Sequence, residues 1–220
     1  MKLQNFILAA TIATATIAGF QAHAAPVPIA NDGFEVPNIG NGFLYNATGA
    51  TWTFNGGSGL AANGSGFNVS GAPNGNTGGQ TSTAGQAGFI QGGDGTVGAA
   101  SFSQLLSGFE AGETTVSFLA ESRVNGGTFL NVYLGGVQLL FGGVGDILPP
   151  STSVFTAFTS DPITVAAGDN LLEFRGNNIN LGDRSSFVDS VSVTNVPEPT
   201  TAAFSLLSAV GMLALRRRRA

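Results

Sequence analysis

Across residues 26–196, apolar side chains come in short runs that alternate with polar ones, and each run is stopped by Gly, Asn, Asp or Pro. A period of two sends successive side chains to opposite faces of a strand, whereas a core-facing helix needs apolar residues three and four apart. Thr51-Trp52-Thr53-Phe54 alternates in this way, and Thr115-Val116-Ser117-Phe118 does so before running into Leu119 and Ala120. Phe129–Leu134 and residues 137–141 flank Gly135-Gly136, which predicts a hairpin whose two-residue turn uses glycine at positive φ. Residues 153–159 predict another strand, carrying Val154, Phe155 and Phe158. Residues 162–165, a turn at Ala167-Gly168-Asp169-Asn170 and residues 171–175 predict a second hairpin, and 186–194 is the last strand.

Only 10% of the 220 residues are charged, while 33 are Gly and 17 are Phe. So much Gly could belong to a disordered chain, but so many Phe argue against it, and so few Lys and Glu disfavour surface helices. Eight to ten strands without an internal helix predict an all-β fold, an antiparallel β-sandwich of the jelly-roll kind. A β-solenoid would need a fixed-period repeat, which is not found. Residues 55–98 are the least regular stretch and hold 15 of the 33 glycines. They read either as a long loop beside a binding face or as a weakly structured insertion.

The ends carry addresses. Residues 1–24 begin with Lys2, continue through a mostly apolar run from Phe6 to Phe20, and finish on Ala22-His23-Ala24. This order predicts a helical signal peptide cut after small residues Ala22 and Ala24. Residues 197–220 open on Pro197-Glu198-Pro199, run without charge from Ala202 to Leu215, and close on four arginines, 216–219. The apolar run predicts a transmembrane helix held by its arginines on the cytoplasmic side. The whole order resembles the PEP-CTERM sorting signal of Gram-negative bacteria. That resemblance implies signal peptidase and exosortase as processing partners, transient anchoring in the inner membrane, and delivery to the cell surface or beyond. The domain between, 25–196, is the part that would do the work.

Processing narrows the chemistry. His23 is the only His and Lys2 the only Lys, and both leave with the signal; with no Cys in the chain, the mature domain has none of the three. His-based triads, thiolate nucleophiles, Schiff bases and most zinc sites are thereby excluded. Residues 25–196 keep three arginines (Arg123, Arg175, Arg184) against twelve Asp and Glu, a net charge of −9. So acidic a domain is repelled by nucleic acid and anionic membranes, and meets cations or neutral glycans without electrostatic cost. Paired carboxylates stay possible, as in a glycosidase, although Glu110 and Glu113 read as solvated turn acids.

In the last strand, the period of two puts Phe187, Asp189, Val191 and Val193 on one face. If the valines face the core, so does Asp189, and it then needs hydrogen-bond donors or a cation, with calcium natural for an all-oxygen site. Backbone N–H groups at the sandwich edge would also serve. Asn31-Asp32-Gly33-Phe34-Glu35 together with Phe187-Val188-Asp189-Ser190-Val191 resembles the opening and closing strands of galactose-binding-like jelly rolls and carbohydrate-binding modules. The resemblance implies adjacent first and last strands bridged by structural Ca2+, with Glu35 and Asp189 as ligands and Asn31 and Gly33 as further candidates. Trp52, Tyr45 and Tyr133 are the side chains best able to stack on a pyranose, although alternation favours a core position for Trp52, on the face of Phe54, over a stacking one. The leading expectation is a non-enzymatic surface protein that binds glycan, such as exopolysaccharide. The alternatives are a structural coat or biofilm component without specific sugar binding, and a carboxylate-based glycosidase.

Overall fold

A computed structural model describes residues 23–67, 69, 85–92, 100–123, 126–151, 154–177 and 184–198. The expected signal helix, save His23 and Ala24, and the expected transmembrane helix lie outside these residues, as do Ala22 and Pro199; of the sorting segment only Pro197 and Glu198 are described. Among the described residues no helix is long and apolar enough to cross a membrane.

The compact unit Ala24–Val196 is all-β. Its strands are β1 (Ala25–Val27), β2 (Phe43–Tyr45), β3 (Thr53–Asn55), β4 (Ser58–Ala62), β5 (Gln86–Gly92), β6 (Ser101–Phe109) and β7 (Gly112–Ser122). They continue as β8 (Phe129–Leu134), β9 (Val137–Gln138), β10 (Thr156–Thr159), β11 (Ile163–Val165), β12 (Gly168–Asn177) and β13 (Arg184–Pro197). Two antiparallel sheets result. An eight-stranded sheet runs β10-β7-β13-β5-β4-β2, with β1 added to β13 and β11 to β7, and a five-stranded sheet runs β3-β6-β12-β8-β9.

The main core lies between the sheets. Phe54, Phe102, Phe174 and Val132 form one inward row across the smaller sheet, since Phe54 pairs with Phe102, Phe102 with Phe174, and Phe174 with Val132. Leu60, Val116, Phe118, Val188, Val191 and Val193 meet them from the larger one. A second apolar cluster, Ala61, Phe67, Val69, Ala87, Phe89 and Phe187, packs separately from this core.

Several sequence expectations change here. The glycine-rich stretch is no simple loop: it contains β4 and β5, adjacent strands inside the larger sheet. Their glycines make room for rings. A Cβ at Gly88 would lie 2.7 Å from the Phe34 ring, and one at Gly59 would lie 2.9 Å from Phe89 and 2.0 Å from the Leu44 carbonyl oxygen. Residues 68, 70–84 and 93–98 of the stretch lie outside the described residues. The hairpin at Gly135-Gly136 forms, with φ of 58° and 82°. The second expected hairpin does not. β11 pairs with β7 in the larger sheet and β12 enters the smaller one, so the turn between them crosses from layer to layer.

Gly88→Ala is expected to destabilise the fold by about 1–3 kcal/mol through overpacking against Phe34. Urea unfolding reads this directly, and an unchanged midpoint would mean that the ring does not need the space.

Candidate functional site

Phe34 is where the amino-terminal segment enters the core. Its ring stacks on Trp52 (centroids 5.0 Å apart) and meets Phe102 edge-on at 5.3 Å. Both sheets hold the segment around it. From the smaller sheet, the Gln104 side chain donates to the Ala30 carbonyl (2.8 Å) and accepts from the Ala30 N–H (2.9 Å). The Trp52 indole N–H donates to the Asn31 carbonyl at 2.9 Å. From the larger sheet, the Val191 N–H donates to the Asp32 carbonyl at 3.0 Å, and the Gln86 amide donates to the carbonyls of Phe34 and Pro37.

Trp52 is therefore core. It is 2% exposed, with Phe34, Phe102 and Phe174 around its ring, so no sugar can stack on it. Asn31 is engaged as a loop clamp, donating to the Val36 carbonyl at 2.6 Å and accepting from the Val36 N–H at 3.0 Å. The Gly33 N–H is bonded to the Asp32 carboxylate at 3.1 Å.

The first and last strands do lie side by side, Ala25 opposite Asn195 and Val27 opposite Val193. Asp189, however, does not share a face with Val191. Ser190 takes a φ of 50°, a left-handed position that interrupts the alternation, so Val188 and Val191 both reach the main core while Phe187 joins the second cluster. Asp189 and Glu35 are both fully buried. Gln86 N–H donates to Glu35 Oε1 at 3.1 Å. The Ser190 N–H and hydroxyl donate to Asp189 Oδ1, whereas Asp189 Oδ2 meets no donor among the described residues. Burial raises the Asp189 pKa to about 8; the Ser190 hydrogen bonds oppose this, and the charges of Glu35 and Asp32 add to it. Asp32, inside the opening motif but not among its expected ligands, thus belongs to the same group of acids.

This arrangement suits a cation only with help. Among the described residues no three His, Asp or Glu side chains converge closely enough to hold a metal ion by themselves. A calcium ion would draw on Asp189 Oδ2 and on carbonyl oxygens as well as on Glu35.

A different surface forms on the outer face of the smaller sheet. Strand register places Thr53 beside Ser103, Ser103 beside Glu173, Glu173 beside Tyr133 and Tyr133 beside Gln138. Five hydrogen-bonding side chains thus form one row across all five strands, about 19 Å long at the usual strand spacing. Arg175 lies over the Tyr133 ring at 4.2 Å and bonds Glu173 at 2.6 Å, which keeps the guanidinium charged and fixed in place. Next to Arg175, Asn131 donates to Asp146 (2.5 Å), which also accepts from Asn177 (3.0 Å). Leu105 and Leu171, 63% and 41% exposed, lie paired along the other side of the row. Alternation of Glu173 and Arg175 with Leu172 and Phe174 was legible in the sequence, but their alignment with Thr53, Ser103 and Tyr133 needed the register. Tyr45 lies elsewhere, on β2 at the edge of the larger sheet.

Between about pH 4 and pH 8 the folded chain holds a proton on Asp189 that the unfolded chain releases, so without a cation stability declines as pH rises through that window. In chelator, Asp189→Asn is expected to remove that part of the decline. Melting curves at stepped pH check it, and an identical pH profile in the variant would contradict the assignment.

No family model matches the chain, and no curated protein matches it either. Among solved structures, a Stig cyclase, FisC from Fischerella sp. TAU in complex with (3Z)-3-(1-methyl-2-pyrrolidinylidene)-3H-indole, is similar with a TM-score of 0.50. It is 14% identical over 80% of this chain and 100% of its own. The module TmCBM61 in complex with beta-1,4-galactotriose gives a TM-score of 0.46 at 15% identity, over 77% of this chain and 98% of its own. A carbohydrate-binding module from Cellvibrio mixtus lichenase 5A in complex with cellotriose gives 0.38 at 15% identity, over 64% and 88%. At 14% identity, what the chain shares with the cyclase is a fold.

Proposed function

We propose that this chain is an exported, non-catalytic surface protein whose sandwich binds neutral glycan along the row Thr53, Ser103, Glu173, Tyr133 and Gln138. The observation that supports this best is the row itself. A glycan strand offers a line of hydroxyls and the apolar faces of its rings. The row offers a line of donors and acceptors beside one tyrosine ring and a fixed guanidinium. The exposed Leu105 and Leu171 give ring faces an apolar margin. The net charge of −9 on residues 25–196 favours a neutral chain over an acidic one. Glu35 and Asp189 are buried beyond the reach of a polymer, which fits a structural role.

In this reading, residues 1–24 export the chain and residues 197–220 bring it to an exosortase in the inner membrane, from which it passes to the cell surface. Calcium, held by Asp189 and Glu35 with carbonyl oxygens of the opening motif, replaces the proton on Asp189 and ties the amino-terminal segment to β13.

Binding of the purified chain to a panel of neutral polysaccharides (β-1,4-glucan, β-1,4-galactan and β-1,4-mannan) tests the glycan reading. Tyr133→Ala and Arg175→Ala are each expected to weaken binding about tenfold, ~1.4 kcal/mol. No binding to any member of the panel, with calcium or with chelator, would leave a structural coat component instead. Chelation is expected to lower the melting temperature, by an amount equivalent to about 2.7 kcal/mol for calcium at a hundredfold excess over its dissociation constant. Asp189→Ala is expected to abolish that response, and a melting curve indifferent to chelation would count against calcium.

A further inference from the structure

The far side of the sandwich carries a second group of rings. Phe43 and Tyr45, two apart on β2, point to the same face, where Phe43 packs edge-on against Phe67 (4.5 Å) and Tyr45 against Phe89 (5.0 Å). The strands beneath are made small to admit them: Gly59 lies opposite Tyr45 and Phe89, and Ala61 opposite Phe43 and Ala87. Phe67 and Phe89 are buried, 4% and 0% exposed, whereas Phe43 and Tyr45 keep 46% and 37% of their surface open. Their rings stand 6.0 Å apart at 89°, a right-angled notch. Polar groups border it. The Tyr45 hydroxyl donates to Gln91 Oε1, and the Arg123 guanidinium lies 5.5 Å from the Phe67 ring centre. Of the three arginines left in residues 25–196, two therefore cover aromatic rings, Arg175 on one face of the sandwich and Arg123 on the other.

The geometry points to a second glycan site at Phe43 and Tyr45, on the face opposite the Tyr133 row, which makes the domain bivalent and able to cross-link polysaccharide chains. This inference rests on the glycan reading of the first face. A pyranose fits the notch because it pairs an apolar C–H face with a polar rim, matching open rings beside the Tyr45 hydroxyl and the Gln91 amide. A folded protein partner fits poorly: a stable interface takes about 20–30 residues a side, and β2 offers three exposed residues, Phe43, Leu44 and Tyr45. Joining two weak sites on one rigid body raises affinity for a polymer by about 10²–10⁴ without any new contact, provided that both sites engage.

Agglutination of latex beads coated with β-1,4-glucan or β-1,4-galactan separates the outcomes. The purified chain is expected to clump coated beads. Phe43→Ser/Tyr45→Ser is expected to adsorb still through the Tyr133 row but to lose clumping, with apparent affinity for the polymer down about a hundredfold. Phe43→Leu/Tyr45→Leu keeps the apolar packing and removes the flat ring faces, and it is expected to lose clumping equally while melting as the parent does. If either variant clumps as well as the parent, the second site is wrong and the glycan reading stands. If the parent chain fails to adsorb, the glycan reading fails and takes the second site with it. If the sugar-free parent sediments as a dimer and the variants as monomers, the notch is a self-association surface and the inference is overturned.

Discussion

The fold depends on how residues 30–37 cross between the two sheets. Phe34 fills the space that Gly88 leaves open and packs on Trp52 and Phe102, so one ring links the larger sheet to the smaller. The backbone on either side of it has few partners of its own and is satisfied from outside: Gln104 and Trp52 reach in from the smaller sheet, Gln86 and Val191 from the larger. A buried segment of irregular backbone is tolerable only with this degree of satisfaction. Two buried glutamines, unusual in a core, are explained by that demand.

The same crossing has an electrostatic consequence. It carries Asp32 and Glu35 toward Asp189, already buried beside the left-handed Ser190, and places like charges together in a poorly solvated region. Such a group cannot stay fully ionised without compensation. A proton on Asp189 is one solution near neutral pH. A divalent cation is the other, and it would also fasten the segment to the last strand. The tie between opening motif and closing strand is thus both the mechanical link and the place where chemistry is most constrained.

Much of this was legible from residue order, though unevenly. Short apolar runs are local, and they mark β7, β8, β12 and β13 as strands; in β7 the alternation also places Val116 and Phe118 inward, whereas in β13 it misplaces Phe187 and Asp189. What it could not supply is the partner of each strand. Residues 162–175 look like a hairpin because both runs alternate around a good turn, yet β11 and β12 belong to different sheets. β4 and β5 were hidden for a related reason: Gly59 and Gly88 weaken any strand signal, and the rings that justify them come from Phe89 and Phe34. Ser190 shifts the alternation by a backbone turn that no residue type announces, which moved Phe187 away from the valines. The opening motif does bring Glu35 to the region of Asp189, and Asp32 with it.

A sandwich held so firmly from within leaves its two outer faces as the surfaces where composition can vary with function. On one, register lines up Thr53, Ser103, Glu173, Tyr133 and Gln138; on the other, small residues seat Phe43 and Tyr45. The first of these faces is the one proposed to meet neutral glycan. Backbone amide NMR of the 15N-labelled chain, titrated with soluble β-1,4-linked trisaccharides of glucose, galactose and mannose, tests it most directly. Saturable shifts concentrated at Ser103, Asn131, Tyr133, Glu173 and Arg175 are expected. Shifts confined to other parts of the chain, or none with any of the three sugars, would contradict it.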